Sequence, residues 1–493
     1  MKRYDLAVLG GTVVFPYVGP LRCDLGIRDG RVVTLEEGID ASQAEEVLDA
    51  RGKVVLPGAV DSHFHLGIYR SLAEDALSET ASALVGGVTT VISYFRTGHH
   101  YLNKSGPYRE IFPEVLSTTR GHAYTDYGYH IAIMTSEQLD EVDWLVREQG
   151  VGSFKYYMFY KGLNLTADST RGSDYTMAEH YDLGHLYLLM KQVSAASQAY
   201  GRYGRVSLSL HCEHAELIRV FIDEVKCLGL NTLEGYHRAR PPLTERLSMA
   251  EAVILGDVTR CPLNLLHLSS REAVEAAAEA KRDYPHLDIR LETTVHHLAL
   301  TYETAAGGLR GKVNPPIRSE DDRQALWEAV LRGDVDTVVS DHACCFEEQK
   351  GEDLWKALPG FGGTALLYPY MLSEGLQRGL SLTRVAELVS ANPARAFGLY
   401  PRKGTLAPGS DADLTIVDLE RERTVTPEVL RSSQDFTPFE GMRLRGWPIH
   451  TVLRGRVVLR EGDVVGEPQG AYVKRPVGLH TLSQEEPQEE LTR

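Results

Sequence analysis

The chain has 493 residues, 43% hydrophobic and 24% charged, with a formal net charge of −16. That is enough for a sizeable core in one large domain with a smaller companion, and it argues against general disorder. The acidic balance leaves no basic stripe for nucleic acid or an anionic membrane surface, and no segment approaches the roughly 20 apolar residues of a membrane span.

From the N-terminus, residues 4–57 alternate short β-rich runs with Gly turns (LAVLGGTVVF, DLGIRDGRVVTL, GKVVLPG), an antiparallel pattern. The same texture returns in DADLTIVDL (411–419) and IHTVLRGRVVLREG (449–462). Between them, apolar strands alternate with amphipathic helices. Strands are predicted over 59–65, 88–95, 126–134, 151–157, 205–210, 262–267, 287–293 and 336–340, with helices over 177–199, 213–227, 271–282 and 319–332. The fold class expected is α/β: a (β/α)8 TIM-like barrel over 58–399, with a small β-sandwich domain built from both chain ends, 1–57 plus 400–470. Residues 471–493, ending in LSQEEPQEELTR, read as an acidic tail or a strap over a subunit surface. The six cysteines include no CxxC pair, and the first residues hold no long apolar run, so a reduced, cytoplasmic setting is expected.

Reacting groups of such barrels sit where strands finish. Here the first strand ends Asp61-Ser62-His63-Phe64-His65, and strand alternation puts both histidines on one face. The fourth carries Lys155, the fifth ends at His211, the sixth at His267 and the eighth at Ser340-Asp341-His342. Each residue alone has a plain explanation: a core histidine, a buried ion-pair lysine, a helix-capping aspartate. As a set, four imidazoles and a carboxylate converging without a cation would strand polar groups at about 1–3 kcal/mol each. Metal is the economical explanation.

These residues lie in LPGAVDSHFHLG (56–67), VGSFKYYMFYKG (151–162), LHCEHAE (210–216), LNLLHLSS (263–270), KVNPPIRSEDDRQALW (312–327) and VVSDHACCF (338–346), followed by GTLAPGSDADLTIVD (404–418) and GMRLRGWPIHTVLRGRVV (441–458). In these motifs the chain resembles the cyclic amidohydrolases, most closely the dihydropyrimidinase and hydantoinase branch. The resemblance implies a hydrolase that opens a cyclic amide or imide with water activated by two divalent ions, zinc foremost. His63, His65 and Asp341 would hold the more buried ion, and His211 and His267 the more exposed one. Lys155 would be carboxylated on its amine (N6-carboxylysine) and bridge both. Asp341 would also carry the proton, and Tyr160 would donate to the developing oxyanion. Relatives are commonly homotetramers or homodimers.

The ring itself is less plainly written. Asn314 stands where hydantoinases place a serine, Gly360 in LPGFGGT matches a substrate-binding carbonyl, and Tyr157 and Leu66 match positions around the ring substituent. Phe159 is a further aromatic candidate, and Arg96, in SYFRTGHH, is expected to overlook the pocket and contact an acidic or strongly polar substituent. ETTVHHLALT (292–301) is closer to allantoinase and dihydroorotase relatives, but Gly67 stands where dihydroorotases carry a carboxylate-clasping arginine. Cys344 and Cys345 are candidates for the pocket lining without a base to make them nucleophiles, and His99, His100, His296 and His297 read as structural or loop residues. Two rivals stand beside this reading. A mononuclear deaminase would lack Lys155, and the non-enzymatic collapsin response mediator proteins lack the complete ligand set.

Overall fold

The computed structural model describes residues 2–160 and 181–485. Eight parallel strands, each paired with its neighbour in sequence, make the central sheet: Ala59–Phe64, Val88–Phe95, Asp126–Ala132, Ser153–Tyr157, Ser207–His211, Leu263–Leu265, Ile289–Thr294 and Thr337–Val339. All eight coincide with the strands expected from hydrophobic runs. They are buried almost throughout, as parallel strands covered on both faces must be, and interleave apolar residues with buried polar ones.

The sheet closes on itself. Phe64 bridges His342 in parallel, the His65 amide donates to the His342 carbonyl at 2.8 Å, and buried Asp61 accepts from Ser340 Oγ at 2.5 Å and Thr364 Oγ1 at 2.8 Å.

Helices cover the barrel where amphipathic runs foretold them. Ala215–Cys227 and Arg271–Asp283 match closely, and Glu320–Arg332 starts at a capping box made by Ser319 and Asp322. The run expected at 177–199 is found as Leu183–Tyr200, capped by Asp182; residues 177–180 lie outside the described residues. No helix among the described residues is long and apolar enough to cross a membrane.

Both chain ends build the flanking sheets. A four-stranded sheet comes from the N-terminal stretch, and a seven-stranded one joins N-terminal strands to C-terminal ones through the antiparallel pair Val54–Pro57 and Leu414–Thr424. Leu6, Val8, Leu25 and Ile27 of the first sheet pack on Val13, Val55, Leu414 and Val452 of the second, so the two form a sandwich with its own core.

One expectation is corrected. The segment after residue 470 does not leave as a tail at once. The Ala471 carbonyl accepts from the Tyr127 amide, Val473 donates to the Tyr127 carbonyl, and fully buried Arg475 donates to the carbonyls of Tyr129 and Phe397 and to Ser153 Oγ. A guanidinium with three internal acceptors holds this stretch to the barrel before helix Val477–Glu485 begins. The rest of the acidic stretch, 486–493, lies outside the described residues.

Barrel and sandwich are also joined by charge. Lys403 Nζ lies 2.6 Å from Asp126 at the start of the third barrel strand and 2.6 and 2.9 Å from Asp413 and Asp411 beside the sandwich, all buried. Removing the cation would leave buried Asp413 without its ion-pair partner, while Asp126 and Asp411 would keep Arg454 and Arg402. Lys403→Met is therefore expected to lower unfolding free energy by about 3–5 kcal/mol in chemical denaturation.

Candidate metal centre

The strand alternation that pointed to His63 and His65 does turn both inward, towards the residue that ends the eighth strand. His63 Nε2 and His65 Nε2 lie 3.0 and 3.2 Å from Asp341 Oδ1, with all three side chains buried. From the fifth and sixth strands, His211 Nδ1 and His267 Nε2 face each other at 2.8 Å, and the His267 ring centroid is 5.3 Å from that of His63. Lys155, 1% exposed, projects from the fourth strand into the same cavity, its Nζ over the rings of Tyr94 and Tyr157. All six residues expected as metal ligands thus line one open cavity of about 560 Å³. Asp341 and His267 both hold positive φ, 51° and 35°, a costly backbone for non-glycine residues and one that clusters at functional sites.

The second ring nitrogens of three of these histidines are tied down. His63 Nδ1 is 2.7 Å from Glu292, His65 Nδ1 3.0 Å from the Tyr101 hydroxyl, and His211 Nε2 2.6 Å from Glu213. Glu213 is in turn gripped by buried Arg240, whose Nε donates at 2.8 Å. Each of these histidines therefore presents its other nitrogen to the cavity at a fixed angle. Glu292, Glu213 and Tyr101 were missed in the sequence. Two of them had a signal there: carboxylates at the ends of the seventh and fifth strands, where an acid has no packing value.

Electrostatics follow from burial and crowding. Burial lowers the Lys155 ammonium to about 7, against the pull of Asp341 and Glu292. It lowers His65 and His211 to about 4 and His267 well below the usual imidazole value. Burial also opposes charge on His63 and Asp341, yet their mutual attraction wins, helped at His63 by Glu292, so the imidazole is raised and the carboxyl held well below its ordinary range.

The remaining expectations divide. Tyr160, Tyr157, Asn314, Arg96, Gly360 and Phe159 all line the cavity. Leu66 does not. It is fully buried in the barrel core, because alternation turns it away from the face of His65, and Gly67, at φ +80°, then swings Ile68 and Tyr69 into the wall instead. The Gly360 carbonyl is also committed elsewhere, accepting from Lys350 Nζ at 2.6 Å and Cys345 Sγ at 3.4 Å. Cys344 and Cys345 are buried outside the lining, with burial raising both thiols. His296 and His297 are buried and His99 and His100 belong to the loop after the second strand; none of the four lines the cavity.

The model of the Amidohydrolase family matches residues 264–458. Over 486 residues the chain is 30% identical to a D-hydantoinase of Ralstonia pickettii, covering 96% of this chain and 99% of that one. The chain belongs to the cyclic amidohydrolases of the hydantoinase/dihydropyrimidinase family. An allantoinase of Rubrobacter xylanophilus is 32% identical over 479 residues, covering 96% of this amidohydrolase and 98% of the relative. The crystal structure of dihydropyrimidinase from Brevibacillus agri superposes with a TM-score of 0.84 at 26% identity, over 96% and 98% of the two chains.

The family implies divalent metal, and the donor set of this amidohydrolase fits it. Ligand atoms of His63, His65 and Asp341 lie within 4.8 Å of one another, and Lys155 Nζ is buried without a hydrogen-bond partner. Glu292→Gln, which removes the anion orienting His63, should weaken divalent-ion affinity about 10–100-fold in chelator competition while leaving the fold intact.

Proposed function

We propose that this protein is a binuclear hydrolase that opens a hydantoin- or dihydropyrimidine-like cyclic amide with water. The observation that carries the reading is the convergence of six strand-end side chains on one cavity, with the Lys155 amine buried there unpartnered. A bare ammonium beside two dications would be strongly repelled. A carbamate on Nζ turns it into an anion with two oxygen donors, so N6-carboxylysine at Lys155 belongs to the proposal. His63, His65 and Asp341 would hold one ion, His211 and His267 the other, and the carbamate both; zinc suits the nitrogen/oxygen donors. Bound divalent ions would supply Lewis acidity, lowering the pKa of water towards about 7 and polarising a carbonyl.

The chain's own groups do the rest. Asp341 remains ionised at neutral pH because His63 and His65 more than offset its burial, so its carboxylate accepts the proton of the attacking water. The same proton then passes to the ring nitrogen as the C–N bond breaks, leaving a ring-opened carboxylate. Tyr160 is kept protonated by burial and donates its hydroxyl hydrogen to the carbonyl oxygen as charge builds there, worth about 2–4 kcal/mol. Asn314, whose Oδ1 is 2.5 Å from the Tyr236 hydroxyl, is positioned to bind the ring, and Tyr157 and Phe159 would contact its substituent.

An allantoinase-like ring is the second reading, favoured by the 32% identity to the Rubrobacter xylanophilus enzyme. A cytoplasmic location accords with six free cysteines, and assembly as a homotetramer or homodimer completes the proposal.

Turnover of hydantoin, dihydrouracil, allantoin, dihydroorotate and cyclic imides, followed with metal analysis, tests the reading. Two ions per chain and ring opening abolished by chelator are expected; a metal-free protein or no turnover of any ring would overturn it. Tyr160→Phe should lower kcat about 10²–10³-fold without loss of metal. Growth of the carbamate resonance with carbon-13 bicarbonate, absent in Lys155→Ala, checks the modification.

A further inference from the structure

Arg96 directly follows the second barrel strand and lies in the cavity wall, only 4% exposed. Its Nη1 donates to the carbonyls of His99 at 2.6 Å and Thr97 at 3.3 Å, which fixes the side chain in place. Its guanidinium carbon sits 5.6 Å from the Tyr101 ring centroid, and the group lies against the Tyr160 hydroxyl. Of the five N–H donors of an arginine, the Nη1 pair is thus engaged with backbone, and no carboxylate among the described residues forms an ion pair with the rest.

This is an expensive arrangement in a cavity with so little negative charge. Asp341 is the single carboxylate in the described lining, and it is already held by His63 and His65. The other walls near Arg96 are aromatic: Tyr69, Tyr101, Tyr157, Phe159 and Tyr160. Of the other buried arginines, Arg240 and Arg318 are matched by Glu213 and Glu245, while Arg475, which does not line this cavity, spends its donors on the carbonyls of Tyr129 and Phe397 and on Ser153 Oγ. Arg96 instead faces the open cavity beside a centre suited to cations, with donors left over for a ligand that brings the counter-charge.

We infer that Arg96 is a specificity residue that receives a carboxylate carried on the substituent of the cyclic amide. The planar fork of the guanidinium suits a carboxylate, which it can bind with two parallel hydrogen bonds. The inference rests on the ring-opening function proposed above, and it narrows the substrate from cyclic amides in general to acidic ones.

The test uses the metal-loaded protein and a matched pair of substrates on whichever ring it opens best, one bearing a carboxyethyl group and the other the isosteric carboxamidoethyl group. Wild type should prefer the carboxylate. Arg96→Gln should lose about 10- to 100-fold in kcat/KM on the carboxylate, the worth of a hydrogen bond to a charged group, while the carboxamide changes by less than about threefold. Arg96→Lys keeps the charge without the fork and should fall in between on the carboxylate alone. Equal losses on both substrates would mean that Arg96 only braces residues 97–99 or Tyr160, and would overturn the inference; so would a wild type indifferent to the charge. Calorimetric binding of the same pair separates this failure from that of the ring-opening reading. If no ring is opened, the activity falls, but a carboxylate that binds at least about tenfold tighter than the carboxamide, and only in the presence of Arg96, still upholds the site. Equal affinities overturn it.

Discussion

Asp61 accepts hydrogen bonds from the backbone and hydroxyl of Ser340 and from the Thr364 hydroxyl, and through them the first strand is fastened to the eighth. The residues joined are separated by nearly the whole barrel in sequence. Once they meet, His63 and His65 turn inward towards Asp341, and three donors from two distant segments lie within 4.8 Å of one another. Every other donor depends on this closure, because an open sheet would fan the strand ends apart. The buried carboxylate at Asp61 is thus part of the scaffold: its acceptors are consumed in holding the seam, while the carboxylate at Asp341, on the same rim, is left for chemistry.

Crowding then sets the electrostatic state of the centre. Four imidazoles and an amine are packed where burial disfavours their protonated forms, and only His63, pinned between Glu292 and Asp341, is pushed the other way. Neutral nitrogens with lone pairs are what a divalent ion requires. Burial lowers the Lys155 ammonium to about 7, so part of the amine is neutral near pH 7, the form from which the carbamate proposed above would be made. Glu213, with Arg240 behind it, keeps one further negative charge close to His211 while remaining outside the cavity lining.

Much of this was legible in the sequence, for a physical reason: strand periodicity is local. The spacing of His63 and His65, and the placing of Lys155, His211, His267 and Asp341 at strand ends, follow from where apolar runs stop. Leu66 was misjudged because the same alternation excludes it, and the turn at Gly67 then lifts Ile68 and Tyr69 into the wall. The Gly360 carbonyl was misjudged because its fate is decided by Lys350, whose buried ammonium finds backbone carbonyls as its acceptors and takes this one. Tyr101 was silent because its role, towards His65, exists only once the chain between the two has folded. Arg475 was silent for the same reason: nothing in an acidic C-terminal stretch announces that one cation will be buried under the barrel.

The division between what could and could not be foreseen follows the architecture. Strand ends supply the groups that act on any scissile amide, and they are held by the sheet. The walls that meet the rest of the ring come mainly from the loops after the first, second and fourth strands and from residues 313–314 and 359–360. Arg96 belongs to both sets. It is the residue following a strand, so its backbone is as fixed as that of the metal-facing residues, yet its head group reaches among the aromatic side chains of the loops. A charge mounted that rigidly cannot swing out to solvent when a neutral ring enters. Selectivity at this position is therefore built in as a standing electrostatic demand on the substrate rather than as a shape that a mobile loop could relax.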